Sequence, residues 1–239
     1  MYNPWMWGMY MQNNMMMYLI IAMVIPILAQ VYLKSTFSRF KRERASSNMT
    51  GFEAARRILD NNGLFDVRIE RAKGMLGDHY DPRTKTVRLS DEIHDQPSIA
   101  AVAVAAHEVG HALQHAQNYL PLNIRSSMVP VVNIASRFGF IAIIAGIFLE
   151  AFVLAEVGII LIASIFVFQL ITLPVEFNAS KRAMVEMRNM NILYDNNEIR
   201  GANKVLTAAA LTYVAAMVVA LMELLRWVAI LNNSRGRRD

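Results

Sequence analysis

Hydrophobic residues along the chain fall into long runs separated by polar segments. The first run, residues 15–33, carries no charge and matches the roughly 20 apolar residues that a helix needs to cross a bilayer. The second run, from Pro130 to Val175, is too long for one crossing and predicts a helical hairpin with its turn near 150–158. A third run covers 205–230. The pattern predicts a mainly α membrane protein with about four transmembrane helices.

The polar segment between the first two runs, residues 45–96, has the local signals of a small soluble α+β region. Thr50 and Glu53 have the spacing of a capping box, in which the two side chains satisfy each other's backbone N–H groups at a helix start. The helix is expected to run to about Asn61 and to stop at Gly63, since glycine adopts the left-handed conformation that ends many helices.

Two strands and a second helix complete this region. The stretch 65–73 alternates apolar and polar residues as a strand does, and a second strand is expected at 86–90, after a turn at Asp81-Pro82. Pro97 is expected to open the second helix, because proline suits the first helical turn. The first half of that helix is small and apolar on every side, which predicts that it is buried all round.

Composition and charge agree with a membrane protein. Apolar residues make up 55% of the 239 residues and charged residues 18%, while the absence of cysteine excludes disulfides, thiolate catalysis and cysteine zinc fingers. The stretch 34–44, KSTFSRFKRER, is strongly basic, so the positive-inside rule places the N-terminus outside and residue 34 onward in the cytoplasm. No nucleic-acid-reading motif is present, and we expect no nucleic-acid partner.

The C-terminal tail leaves one point of topology open. Strict alternation of four spans places the basic tail SRGRRD outside, against the positive-inside rule. The last apolar run therefore either spans the membrane, with the more basic first loop deciding the orientation, or is re-entrant, or lies in the interface. The chain is expected to divide into an N-terminal transmembrane helix (1–33), a cytoplasmic region (34–129), a transmembrane hairpin (130–175), a second cytoplasmic segment (176–204), and a C-terminal transmembrane or interfacial helix with its tail (205–239).

The stretch HEVGHALQH, residues 107–115, contains the pattern H-E-x-x-H on the second predicted helix. Two histidines four residues apart rise about 6 Å and turn about 40°, so His107 and His111 leave the helix from one face and can bind one zinc ion. Glu108 stands beside the first histidine, where a carboxylate can serve as general base toward a metal-bound water. A coincidental polar face is less compatible with this helix, because burying unpartnered polar groups is costly.

His115 does not extend the pair. It lies about 12 Å along the helix axis from His107, whereas ligands of one zinc sit within a few ångströms of each other. We expect it to be a helix-face residue, with a contact to a ligand side chain or to substrate as the alternative. The extended pattern H-E-x-x-H-x-x-G-x-x-H is also excluded, because Gln114 and Gln117 occupy its last two defined positions.

A third ligand must therefore come from another part of the chain. Glu176 is the first acidic residue after the predicted hairpin, and Ser180, four residues on, would share its face if the helix continues. Spacing alone leaves two interpretations of Glu176 open, a metal ligand and an ordinary charge at the membrane boundary.

The sequence resembles the YugP-type bacterial membrane zinc metallopeptidases, which are grouped with the gluzincins. The resemblance spans residues 45–220 and is carried by the stretches TGFEAARRILDNNGL, DHYDPRTKTVRLS, AAHEVGHALQHA, LPVEFNASKRA and AAALTYVAA. It implies a zincin-like cytoplasmic region and one Zn²⁺ per chain. It also implies that His107, His111 and Glu176 are the ligands and that Glu108 is the catalytic base.

Two further expectations come from this resemblance. Many gluzincins, including HtpX-type membrane proteases, have an aspartate four residues after the ligand glutamate, where it orients a zinc histidine. This chain has Ser180 there, which can accept a hydrogen bond but lacks the charge, and Asn178 is a second substitute. The family also implies that the strand at 86–90 borders the cleft and pairs with an extended substrate, with an ordinary edge strand as the alternative.

The predicted function is a membrane-embedded zinc endopeptidase, active at the cytoplasmic face of the cell membrane on protein or peptide substrates, mainly membrane proteins or membrane-proximal segments. A non-catalytic zinc-bound scaffold or adaptor is the alternative. A small transporter is less compatible, because the ionisable residues cluster at the ends of the apolar runs. Candidates for stabilising the oxyanion are Tyr194, Tyr213, His79 and Arg182.

Overall fold

The computed structural model describes residues 4–72 and 77–235, which form helices and three short strands. In chain order the elements are α1 (Pro4–Phe40), α2 (Gly51–Asn61), β1 (Arg68–Arg71), β2 (His79–Asp81), β3 (Thr86–Leu89), α3 (Asp91–His94), α4 (Ile99–Ala116), α5 (Leu120–Phe148), α6 (Phe152–Asn189) and α7 (Asn196–Arg235). Part of the basic tail, residues 236–239, lies outside the described residues.

Four of these helices are long and apolar enough to cross a membrane, as the hydrophobic pattern predicts. They lie in α1, α5, α6 and α7. The hairpin turn falls between Phe148 and Phe152, at the start of the predicted range, and Glu150 adopts a positive φ of 59° there. The prediction of a mainly helical chain with about four transmembrane helices is therefore confirmed as far as four candidate spans.

The ends of the long helices differ from those expected. Helix α5 begins at Leu120 and contains Pro130, which was expected near its start. A proline inside a long helix removes one backbone hydrogen bond without ending the helix. Helix α1 likewise continues through the basic stretch to Phe40.

The segment 176–204 is largely helical, whereas its polar composition suggested a loop. Helix α6 continues to Asn189 and α7 already begins at Asn196. The reason is burial, because small and apolar side chains recur on one face of the extension while the charged residues occupy the others. The buried positions are Ala179, Ala183 and Met187.

Contacts divide the chain into two compact units. The apolar unit comprises the residues up to Ala29, Ile124–Thr172 and the residues from Thr212 onward, and the mixed unit comprises Gln30–Asn123 and Leu173–Leu211. Within the apolar unit, α5 and α6 approach closely at small residues. A Cβ added to Gly146 would lie 2.4 Å from the backbone nitrogen of Ala155, which is the close backbone packing that small residues permit between membrane helices.

The mixed unit contains the sheet, in the order β1-β3-β2. β1 pairs with β3 in parallel, and β2 pairs with β3 antiparallel, Tyr80 lying opposite Val87. Strand β2 was not expected, since only the following turn was predicted. Strand β3 is central and bonded on both sides, so the expectation that it pairs with a substrate is wrong: it has no free edge.

Helices α2 and α4 pack together beside this sheet and contribute half of the buried core residues. The capping box of α2 is present, with Glu53 N donating to Thr50 Oγ1 at 3.2 Å and Thr50 N donating to the Glu53 carboxylate at 2.8 Å. Helix α4 starts at Ile99, two residues after Pro97, because Ser98 provides the N-cap by accepting from the Ala101 backbone N–H. The first half of α4 is buried, as predicted.

Candidate metal centre

Three side chains of the mixed unit converge on one point. His107 and His111 extend from α4 and Glu176 from α6, and one ligand atom from each lies within 4.8 Å of the others. Oε2 of Glu176 is 3.2 Å from Nε2 of His107 and 3.5 Å from Nε2 of His111. Glu176 is 2% exposed, so its carboxylate is held in the interior beside the two rings.

A glycine in the H-E-x-x-H motif allows α4 and α6 to approach closely enough for the three side chains to converge. Gly110 faces Ala179 of α6, and a Cβ built on Gly110 would lie 2.5 Å from the Ala179 carbonyl oxygen. Only a residue without a side chain allows that approach. Because Gly110 precedes His111 and Ala179 follows Glu176 by three residues, this contact brings the two parts of the site together.

In both histidine rings, Nδ1, the nitrogen that faces away from Glu176, has a hydrogen-bond partner. Ser180 Oγ lies 3.1 Å from Nδ1 of His107, and Oε1 of Gln114 lies 3.0 Å from Nδ1 of His111. Nε2 of each ring is therefore directed at Glu176. Such partners of metal-binding histidines fix the orientation of the ring.

Ser180 and Asn178, the two residues considered in place of the aspartate found in many gluzincins, have different partners. Ser180 contacts His107, as the continuing helix allows. Asn178 contacts neither histidine: its Oδ1 accepts from Nε2 of Gln114 at 3.0 Å and from Nε of Arg182 at 2.7 Å. Gln114 was not recognised from sequence as a partner of the site, although it lies three residues after His111 on the same side of the helix.

The donor set and its spacing fit a zinc ion. Zn–N and Zn–O bonds of about 2.0–2.2 Å at tetrahedral angles separate neighbouring ligand atoms by about 3.3–3.5 Å, close to the separations from Glu176. Burial disfavours the imidazolium form of His111, but the carboxylates of Glu176 and Glu108 outweigh burial and raise the pKa of His111. The site thus attracts positive charge, and three ligands leave a fourth position for water or substrate.

Glu108 is nearly buried beside these ligands on α4. Its place one residue after His107 puts it about 100° around the helix from that ring and about 60° from His111. It therefore borders the ligand face of α4 instead of joining the ligand set.

His115 lies away from the three-ligand cluster, as helix geometry predicts. Its Nδ1 is 2.9 Å from the Tyr80 hydroxyl of β2, and both residues line a cavity of about 160 Å³ together with Leu64 and Lys85. Burial, followed by the charges of two aspartates, raises the pKa of Tyr80 to about 12. The Tyr80 phenol is therefore neutral at ordinary pH.

The four oxyanion candidates belong to different parts of the chain. Arg182 bonds Asn178 and, through Nη1, Oε1 of Gln117 at 2.6 Å. His79 is exposed on β2, Tyr194 is 59% exposed between α6 and α7, and Tyr213 lies on α7 in the apolar unit. Arg182 shares a hydrogen-bond network with His111 through Asn178 and Gln114.

Comparisons with known proteins agree with this chemistry. Residues 15–232 match the model of a family described as "Putative neutral zinc metallopeptidase". The chain is 50% identical over 216 residues to "Putative membrane protease YugP" of Bacillus subtilis (strain 168), covering 90% of this chain and 96% of that protein. No solved structure matches. The family match covers most of the chain, and the chain belongs to this family of zinc metallopeptidases.

Proposed function

We propose that the protein is a membrane-embedded zinc endopeptidase of the gluzincin type. The observation that carries the proposal is the cluster of His107, His111 and Glu176, whose ligand atoms lie within 4.8 Å of one another at the end of a buried H-E-x-x-H helix. In this proposal the three residues hold one Zn²⁺ per chain. The family to which the chain belongs and the name of its relative support a protease.

The chain's own residues divide the work of hydrolysis. A zinc ion in this site would supply Lewis acidity, which makes a water molecule more acidic and polarises the scissile carbonyl. Glu108 takes the proton from the attacking water and passes it to the leaving amine. Ser180 and Gln114 keep the histidine rings in position.

The position of the site along the chain supports membrane-proximal substrates. Helix α4 ends at Ala116, and the next candidate span begins at Leu120. Glu176 follows Thr172, the last α6 residue of the apolar unit, by four residues. We infer that the enzyme cleaves membrane proteins or their membrane-proximal segments. The basic stretch 34–44 favours the cytoplasmic face of the cell membrane.

A single substitution tests the mechanism. The variant Glu108→Gln keeps the shape of the side chain but cannot accept a proton. Purified in detergent, it should bind about one zinc per chain, as the wild type does, and lose cleavage of an unfolded protein substrate by at least about 100-fold. Glu70→Gln, at a half-exposed residue of β1, is the matched control and should cleave normally.

Two results would contradict the proposal. If the wild-type protein takes up no zinc, the proposed metal site is wrong. If Glu108→Gln cleaves as fast as the wild type, Glu108 is not the general base. Full rescue of a deletion strain by Glu108→Gln would instead favour the scaffold. Proteomic comparison of membranes that contain wild-type or Glu108→Gln protein identifies substrates as the proteins that accumulate with the variant.

A further inference from the structure

Gln114 is fully buried, and its amide group is bonded on both sides. Oε1 accepts from the His111 ring at 3.0 Å, and Nε2 donates to the Val175 carbonyl oxygen at 2.7 Å and to Asn178 Oδ1 at 3.0 Å. Val175 is the residue immediately before Glu176. The Gln114 side chain thus contacts His111, a proposed ligand on the same helix, and also the α6 backbone next to Glu176, the proposed ligand on that helix.

We propose that Gln114 is a positioning residue that fixes the tautomer and direction of the His111 ring and ties it to the turn of α6 that carries Glu176. The inference rests on the metal site of the proposed function. It assigns no chemistry to Gln114 itself, which does not titrate and lies behind the His111 ring.

The direction of the hydrogen bonds follows from Arg182. A guanidinium only donates, so its contact at 2.7 Å makes Asn178 Oδ1 an acceptor. The nitrogen of Gln114 must then face Asn178 and the Val175 carbonyl, because only a donor suits two acceptors. This leaves Oε1 of Gln114 facing His111, where it accepts a hydrogen bond from the Nδ1–H group.

A neutral His111 with its proton on Nδ1 has its lone pair on Nε2, the atom directed at Glu176. The chain of contacts from Arg182 through Asn178 and Gln114 therefore selects the tautomer that binds metal. His107 lacks such a constraint, because the Ser180 hydroxyl can donate or accept. The two proposed histidine ligands are thus supported differently, one by a directional chain and one by a rotatable hydroxyl.

The test measures metal binding and the tautomer in the intact protein. Gln114→Met conserves length and removes both functions of the amide, and Gln117→Met is the matched control, since Gln117 bonds Arg182 but touches no proposed ligand. Zinc competition with a chelator should give Gln114→Met a dissociation constant about 10–100-fold above wild type, and Gln117→Met one within about threefold.

Selective ¹⁵N labelling of histidine gives a readout that does not need metal. At a pH where the ring is neutral, wild-type His111 should carry its proton on Nδ1, whereas Gln114→Met should show a mixture of tautomers. A residue that only fills space would leave the tautomer unchanged, so an unchanged signal, or zinc affinity within about threefold of wild type, refutes the proposal.

A second variant guards against misfolding of the first. Arg182→Met acts at the partly exposed end of the chain and should shift zinc affinity and tautomer in the same direction, but by less. If Arg182→Met has the same zinc affinity and the same His111 tautomer as Gln117→Met, Arg182 does not set the direction of these hydrogen bonds. The proposed function can fail independently of this inference. If the wild-type protein binds no zinc, or if Glu108→Gln cleaves normally, the proposed function is wrong, but the tautomer of His111 still tests the role of Gln114.

Discussion

Replacing Gly110 with alanine is expected to open the metal site by about 1 Å. The new Cβ would lie 2.5 Å from the Ala179 carbonyl oxygen, whereas ordinary contact begins at 3.4 Å. The obstructing atom belongs to the α6 backbone and cannot turn aside as a side chain can. Relief therefore requires α4 and α6 to separate, which moves His107 and His111 away from Glu176.

The substitution should affect the metal more than the fold. Overpacking costs about 1–3 kcal/mol, while alanine recovers about 1 kcal/mol of helix propensity relative to glycine. We therefore expect a loss of stability of only about 0–2 kcal/mol. Metal–ligand distances tolerate about ±0.2 Å, so a 1 Å opening should weaken zinc binding by at least about 10–100-fold.

Zinc competition and thermal unfolding of the same preparations measure the two effects. Gly139→Ala is the control, because its new Cβ would come no closer than 3.3 Å to any atom, and the nearest backbone atom, the Gly158 carbonyl oxygen, would be 3.5 Å away. Ala179→Gly should not rescue Gly110→Ala, since the clash is with the backbone oxygen. A folded Gly110→Ala protein that binds zinc within about threefold of wild type would refute the reasoning.

Three further substitutions test other contacts. Ser180→Asp should strengthen zinc binding, because a carboxylate facing Nδ1 of His107 makes the ring a more basic ligand; an affinity equal to that of Ser180→Ala, measured by chelator competition, would contradict this. Tyr80 has its pKa raised to about 12 in the folded protein, so its neutral form favours folding below pH 10 and this contribution is lost as the pH rises through 12. Tyr80→Phe should remove the tyrosinate absorbance that appears near pH 12 and flatten the fall in stability above pH 10; unchanged titration would argue against the assignment. Glu198→Ala should destabilise the mixed unit by about 2–4 kcal/mol in chemical unfolding, because the carboxylate accepts from Ser46 and from two backbone N–H groups at the start of α7, and leaving them unpaired is costly. A change below about 0.5 kcal/mol would show that these groups find other partners.

Local signals were enough to predict the helix that carries the histidines. The spacing of His107 and His111 fixes their common face through helix geometry alone, and the same geometry separated His115, which contacts Tyr80. Glu176 was different. The spacing of residues did not decide whether Glu176 is a metal ligand, because its approach to α4 depends on a contact between distant parts of the chain. Only the resemblance to a family assigned it as a ligand.

The parts that were missed depend on such distant contacts. Gly110 and Gln114 matter only because α6 lies against them, and nothing within α4 reveals that neighbour. Strand β2 has three residues, too few for an alternating pattern to be visible. The extension of α6 did carry a signal, since Ala179, Ala183 and Met187 recur every four residues, but its many charges suggested a loop.

The distance in sequence between the two halves of the site has a consequence for biosynthesis. A ribosome adding about 5–20 residues per second needs roughly 3–13 s to reach Glu176 after His111, sixty-five residues earlier. During that interval the nascent chain has the two histidines and Glu108 but lacks Glu176 and Ser180. The proposed peptidase would therefore be inactive until α6 has been made, so neighbouring nascent chains at the membrane would be safe from cleavage during that part of translation.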